Sequence, residues 1–194
     1  PDRTTWSGRR DHVLLLLAVQ TGLRLSEITG LRAADVRLGT GAHVHVLGKG
    51  RKERCTPLAK QTQAVLRSWM SSDLGSEPVI LFPSARGSRL SADGVQYLVA
   101  KHVATAGRAC PSLTRKRVTP HVLRHTTAMD LLQAGVDRSV IAMWLGHESL
   151  ETTQIYLDAD LTLKERVLDK VAPPSVQARR YRPEDKLMAF LSAL

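Results

Sequence analysis

A chain of 194 residues with 43% hydrophobic content is long enough for one well-packed domain and too short for two generous ones. Its 28 Lys and Arg against 18 Asp and Glu leave a formal charge of +10; the surface field attracts polyanions, nucleic acid first among them, although charge alone does not exclude a protein that is merely basic and soluble. Cys55 and Cys110 lack CxxC spacing, which argues against a disulfide framework or a zinc-cysteine site, and the most apolar run, Val13 to Val19, falls far short of the roughly 20 residues that cross a bilayer.

No signal-peptide layout opens the chain, so a cytoplasmic protein with no membrane partner is expected. Taken in order, the first element is a helix. From Arg9 to Gln20 the apolar spacing is that of a buried helix, and Thr21-Gly22 stops it with the glycine that a left-handed C-cap favours. A second short helix is expected over Ser26 to Leu31. Between Val36 and Leu58 the period changes: Val44 and Val46 alternate with His43 and His45, GKG breaks the run and RKERCTPL resumes it. That pattern predicts strands joined by a glycine-flanked turn in a small antiparallel sheet. Helical spacing returns from Ala59 to Met70 and again, with Ser91 as N-cap, through Val103. The segment 107–118, which contains TRKR, reads as a basic loop. Thr119 then caps a helix with Pro120 at its first position; Gly135 ends it, Asp137 caps the next, and Gly146 closes that one. Thr162 and Glu165 form a capping box for a helix to Val171, APPS reads as a linker, and Pro183 to Leu194 as a short amphipathic helix on a tether.

Several residues in this framework could carry chemistry. His121 and Arg124 in HVLRH leave one face of a helix near its N-terminus. An anion placed there would meet a guanidinium fork, an imidazole and the positive end of the helix dipole. Taken alone, the short HxxR pattern favours a plainer reading, in which Arg124 pairs with a structural carboxylate and His121 caps the helix. His125 reads as structural. Gly146 presents His147 on a loop, and Tyr156 follows in a polar TTQI stretch; a tyrosine, with a free pKa of about 10, needs a base and nearby cations to act as a nucleophile. A helix-turn-helix DNA reader from Asp137 to Tyr156 accounts for the same stretch with comparable weight. Arg24, in TGLRLSE, sits in a mostly apolar setting where its charge is costly unless it meets an anion or Glu27. Lys49, between two glycines, is by itself most simply a solvated turn lysine. His43, His45 and Cys55 offer no evident fourth ligand, so no metal site is expected. Tyr97 sits in an apolar-periodic helix and Tyr181 in an arginine-rich tail, and neither has the cationic company of Tyr156.

TGLRLSE, GKGRKER, HVLRHT and LGHESLETTQIY, in that order, together resemble the catalytic domain of the tyrosine recombinases, the phage-integrase family, over roughly residues 7 to 172. Four linked motifs are far more specific than any one. The resemblance implies an α+β fold, a mostly α-helical catalytic domain with a small antiparallel β-sheet over residues 1–172, followed by a linker and tail helix over 173–194. It implies Arg24 and Arg124 as the arginine pair, His121 and His147 as the two histidines, Lys49 as the hairpin lysine and Tyr156 as the nucleophile. Strands would be cut and rejoined through a 3′-phosphotyrosyl link, with no metal, cofactor or ATP. His121 would accept or relay the tyrosine proton, Lys49 would protonate the departing 5′ oxygen, and His147 would hydrogen-bond the phosphate.

Double-stranded DNA is the implied partner. Arg51, Lys52 and Arg54 of the hairpin and Arg115, Lys116 and Arg117 of the loop are expected as backbone contacts, which give salt-dependent affinity and specify no sequence. The resemblance also implies a homo-oligomer, a tetramer on DNA, formed through a tail helix whose Leu187, Met188, Phe190 and Leu191 make an apolar stripe. Family members usually carry an N-terminal helical domain that clamps the other face of DNA, for which this chain has no room before Ser7. Three functions stay open from sequence: a site-specific recombinase or integrase, a type IB topoisomerase, and a DNA-binding module whose apparent site is inert. The motif order and the compact GKG hairpin favour the first.

Overall fold

The computed structural model of the chain describes residues 1–48, 53–74, 80–146 and 168. Its first helix, α1 (Trp6–Thr21), begins where the Thr5 hydroxyl accepts from the Gly8 N–H, three residues before the expected start. Val13, Leu14, Leu17 and Ala18 are buried along one side. The helix stops at Gly22, whose φ of 63° lets its N–H turn back to the Ala18 carbonyl, a geometry that a side chain resists. Helix α2 (Leu25–Gly30) follows at once. The period-2 stretch forms β1 (Val36–Arg37), β2 (His43–Leu47) and β3 (Glu53–Pro57), a three-stranded antiparallel sheet in the order β1-β2-β3.

Strand parity decides what this sheet buries. Val44 pairs with Thr56 and Val46 with Arg54, and all four are buried, while His43, His45, Glu53 and Cys55 lie on the other, more open face. Helices α3 (Lys60–Ser72) and α4 (Ala92–Gly107) complete the larger core, in which Leu14, Leu17, Val44, Leu66, Trp69, Phe82 and Val95 are almost fully inaccessible. Ser91 caps α4 as the sequence predicts, with its hydroxyl accepting from the Gly94 N–H, but the helix runs to Gly107. Beyond it, the segment expected as a loop contains a 3-10 turn over Pro111–Arg115. A buried polar cluster ties α1 to α4: the Asp11 carboxylate accepts from Arg10 Nη2 at 2.8 Å and contacts His102 Nε2 at 2.8 Å.

Helices α5 (Pro120–Gln133) and α6 (Arg138–Leu145) build a second, smaller core from Ala128, Leu131, Val136, Ile141, Trp144 and Leu145. Thr119, Pro120, Asp137 and Gly146 occupy the capping positions their chemistry predicts. This core docks on the end of α1 through polar groups. Thr127 Oγ1 donates to the Val19 carbonyl at 2.7 Å, Trp144 Nε1 to the Thr21 carbonyl at 3.1 Å and Arg124 Nη1 to the Gly22 carbonyl at 2.6 Å. The end of α1 lacks intrahelical partners for its last carbonyls, and α5 and α6 supply them. The expected helix to Val171, the 172/173 boundary and the tail stripe lie outside the described residues, apart from Leu168, which packs on the smaller core. Among the described residues no helix is long and apolar enough to cross a membrane.

Gly22 is where the two cores meet, and a Cβ there would come within 2.6 Å of Leu145 Cδ2 and 3.2 Å of Thr127 Cβ. Gly22→Ala combines that overlap with a left-handed backbone. The expected result is a loss of roughly 1–3 kcal/mol of unfolding free energy, read as a lower urea midpoint.

Candidate functional site

The corner after Gly22 carries Arg24, and the second turn of α5 carries Arg124. The Arg24 N–H donates to Glu27 Oε2 at 2.7 Å, while its Nη1 reaches Glu27 Oε1 at 3.4 Å and the Gly146 carbonyl at 3.1 Å. Arg124 is only 4% exposed, and its Nη2 donates to the Leu145 carbonyl at 2.8 Å. The last carbonyls of α6, which form the negative end of that helix, thus hold both guanidinium groups. His121 sits on the exposed side of the first turn of α5. Arg24, His121 and Arg124, with Thr119 and Gln96, line a cavity of about 420 Å³.

The charge in this site is unbalanced. Glu27 is the acidic partner at its centre, and Arg54 grips it with Nη1 on Oε1 at 2.9 Å and Nη2 on Oε2 at 2.7 Å. Burial works to raise the Glu27 carboxyl, but the Arg54 hydrogen bonds and charge, with the N–H and charge of Arg24, outweigh it and leave a net downward shift. Glu27 is therefore ionised at neutral pH. Burial, and next to it the charge of Arg24, pulls the Arg124 guanidinium down to about 10. It still carries its proton at pH 7. Among the described residues three cations converge on one carboxylate, a positive excess that a bound oxyanion would neutralise.

His121 and His125 form a pair, with their Nε2 atoms 2.6 Å apart and their rings nearly perpendicular. One nitrogen must donate and the other accept. Burial pushes the His125 imidazole down, and the charges of His121 and Arg124 add to that effect. His125 is thus a neighbour of the site as well as part of the fold, a contact that its i, i+4 spacing from His121 could have revealed.

Of the six residues singled out for chemistry, Arg24, His121 and Arg124 meet at this cavity; Lys49, His147 and Tyr156 lie outside the described residues, as do Arg51 and Lys52. Arg115, which ends the 3-10 turn, and Lys116 and Arg117 just beyond it are exposed. Arg54 requires a correction. Expected on the surface with the other hairpin cations, it is 7% exposed and committed to Glu27, because strand alternation turns it to the core face opposite Val46. Tyr97, in a helix that reads as apolar-periodic, is 73% exposed. Gln96 was not anticipated, since a polar residue on a helix face reads simply as solvated. The sheet histidines have ordinary partners: His43 Nδ1 contacts the Gly41 carbonyl at 2.7 Å and His45 Nε2 contacts Glu53 at 3.3 Å.

The chain is thus a mostly helical domain with a three-stranded antiparallel sheet, in which two arginines converge on one cavity. Residues 3–162 match the model of the phage integrase family. The chain belongs to that family, the tyrosine recombinases. It is 65% identical over 194 residues to the integrase/recombinase-type protein y4rC of Sinorhizobium fredii (strain NBRC 101917 / NGR234), covering 100% of this chain and 58% of that protein. Tyrosine recombinase XerC of Neisseria meningitidis serogroup B (strain ATCC BAA-335 / MC58) is 40% identical over 165 residues, 84% of this chain and 52% of XerC. The chain thus spans little more than half the length of these relatives. Among solved structures, the XerH site-specific recombinase bound to palindromic difH substrate in a post-cleavage complex superposes with a TM-score of 0.63 at 28% identity, over 84% of this chain and 46% of that one.

The His125 shift has a thermodynamic consequence. Its folded pKa lies below the ordinary value of 6.5, so as pH falls the unfolded chain takes up this proton first. Stability contributed by the neutral imidazole is therefore present above pH 6.5 and lost as pH falls below it. His12, also pushed down, first by burial and then by Arg3 and the N-terminus, acts in the same direction. The thermal midpoint is expected to fall when the pH is lowered from about 7.5 to about 5.5, a window above the ordinary carboxylate range. His125→Gln should reduce that fall in parallel melting curves.

Proposed function

We propose that this chain is the catalytic part of a site-specific DNA recombinase of the integrase type, which cuts and rejoins DNA strands through a covalent tyrosyl intermediate. The observation that carries the reading is the convergence of Arg24 and Arg124, with His121, on one cavity held at net positive charge. XerH, whose catalytic region shares this fold, is described in complex with a difH DNA substrate. Double-stranded DNA is accordingly the proposed partner here, in the cytoplasm, with residues 1–172 as the reacting domain and 173–194 as a tail through which copies of the chain associate on DNA.

The chemistry follows from the residue types. Attack by an oxygen on a phosphodiester builds a trigonal-bipyramidal species with additional charge on its non-bridging oxygens. Guanidinium groups stabilise that charge by parallel hydrogen bonds, and the low exposure of Arg124 makes it act more strongly than it would in water. In the proposed reaction the Tyr156 hydroxyl oxygen attacks phosphorus as its proton passes to His121. The bond from phosphorus to the 5′ oxygen breaks, and Lys49 gives that oxygen a proton. The products are a 3′-phosphotyrosyl bond and a 5′-hydroxyl. His147 hydrogen-bonds the phosphate. The ester retains the energy of the broken bond, so a 5′-hydroxyl from another strand reverses the step. Outside the site, Arg115, Lys116 and Arg117, with Arg51 and Lys52, would contact the DNA backbone.

The test is covalent trapping on nicked DNA drawn from the genomic neighbourhood of the gene. An SDS-resistant adduct is expected from the wild-type chain and none from Tyr156→Phe. Arg124→Ala should slow adduct formation by about 10²–10³-fold, the cost of removing a donor aimed at developing charge. Salt-sensitive DNA binding without any adduct would instead identify an inert binding module. Relaxation of any supercoiled plasmid, with no paired site, would identify a topoisomerase.

A further inference from the structure

We propose that Arg54 is a positioning residue of the arginine site: by holding both oxygens of the buried Glu27 it keeps the Arg24 guanidinium available to the substrate phosphate, and by packing against Gly146 it supports the carbonyl on which Arg24 rests. The inference rests on the recombinase reading above. No substrate contact is assigned to Arg54 itself.

Four observations support it. Arg54 and Glu27 form a two-point ion pair whose side chains are 8% and 5% exposed, at 2.7 Å for its closer contact. The Arg24 guanidinium, by contrast, meets the same carboxylate through Nη1 alone and at 3.4 Å, beside the backbone N–H at 2.7 Å. Among the described residues the hydrogen bonds of its guanidinium are made by Nη1 and none by Nη2 or Nε. Third, Gly146 lies directly against Arg54: a Cβ at that position would come within 2.6 Å of Nη1 and 2.8 Å of Cζ. The Gly146 carbonyl accepts from Arg24 and the neighbouring Leu145 carbonyl from Arg124, so Arg54 supports the segment that both other arginines use. Fourth, Arg54 sits on β3, five residues after Lys49, and joins the hairpin to α2 across the sheet.

Stability alone does not explain this arrangement. A buried ion pair is often matched or bettered by apolar side chains of similar volume, and the cross-strand neighbour of Arg54 is Val46, a position where an apolar partner would pack readily. Removal of Arg54 would instead leave Glu27 ionised and buried, with Arg24 as the nearest cation. The carboxylate would then draw in the Arg24 fork and take it from the phosphate. The same logic makes a specific prediction about rescue, since a neutral residue at position 27 exerts no such pull.

The experiment compares the full chain with Arg54→Met, Arg54→Lys, the double variant Arg54→Met/Glu27→Gln, and Tyr156→Phe, on one nicked DNA substrate. Adduct rate at saturating protein, DNA affinity and thermal midpoint are measured for each, and rates are referred to the folded fraction. Arg54→Met is expected to bind DNA within about threefold of wild type while its adduct rate falls by about 10–100-fold, the range for residues that orient a reacting group through a neighbour. The double variant should recover at least about threefold of that loss. Arg54→Lys, which keeps the charge and loses the fork, should fall between wild type and Arg54→Met, and it carries the comparison if the Met variant does not fold. Wild-type rates in the Met or Lys variant, or a double variant no faster than the single, would overturn the proposal while leaving the recombinase reading intact. An absence of Tyr156-dependent adduct in the wild-type chain would overturn both.

Discussion

The arrangement depends on three guanidinium groups gathered around one carboxylate. Arg24, Arg54 and Arg124 lie close enough that Arg24 and Arg54 both lower the Arg124 pKa, while Glu27 pulls it the other way. Like charges at this range repel strongly in a poorly solvated setting, so each cation must be held by groups that cannot move away. The fold provides such groups in the carbonyls of Gly22, Leu145 and Gly146 and the oxygens of Glu27. A site of this kind is oriented before any ligand arrives, which is what electrostatic catalysis requires.

That requirement accounts for features of the backbone. Two helices, α1 and α6, end at glycines with positive φ, Gly22 at 63° and Gly146 at 74°, and those two ends face each other across Arg124. A C-terminal helix end offers unpaired carbonyls and a partial negative charge. Two such ends brought together form a natural seat for a guanidinium. The smaller core of α5 and α6 therefore meets the larger one through oriented dipoles at the place where the site needs them, with Trp144 and Thr127 completing the joint.

Much of this was legible in the sequence because the signals were local. Thr119-Pro120, Asp137, Ser91, Gly22 and Gly146 mark helix ends through side-chain or backbone chemistry within a few residues, and the alternation of Val44 and Val46 marks a strand. Arg24, with an acidic residue three positions on, already signalled a charge that needed a partner. Arg54 is not legible in this way, because a run of basic residues suggests one charged surface, whereas in a strand only parity decides which of them turns inward. Gln96 escapes a sequence reading for a different reason. Gln96 reaches the cavity only through the packing of α4 beside α2 and α5, and no local pattern encodes that approach.

The burial difference among the cations also separates two roles on the proposed reading. Arg115, Lys116 and Arg117 are exposed, so their attraction for a DNA backbone is screened over about 10 Å at 0.1 M salt and weakens as counterions compete. Arg124, at 4% exposure, would act on a bound phosphate at short range and with far less screening by mobile ions. Raising the salt should therefore act first on how often DNA is captured and much less on what happens to the phosphate once it is seated. A positively charged surface and a positively charged site are then not the same device at two strengths. One is a field that concentrates substrate, and the other is a fixed geometry whose value lies in its isolation from solvent.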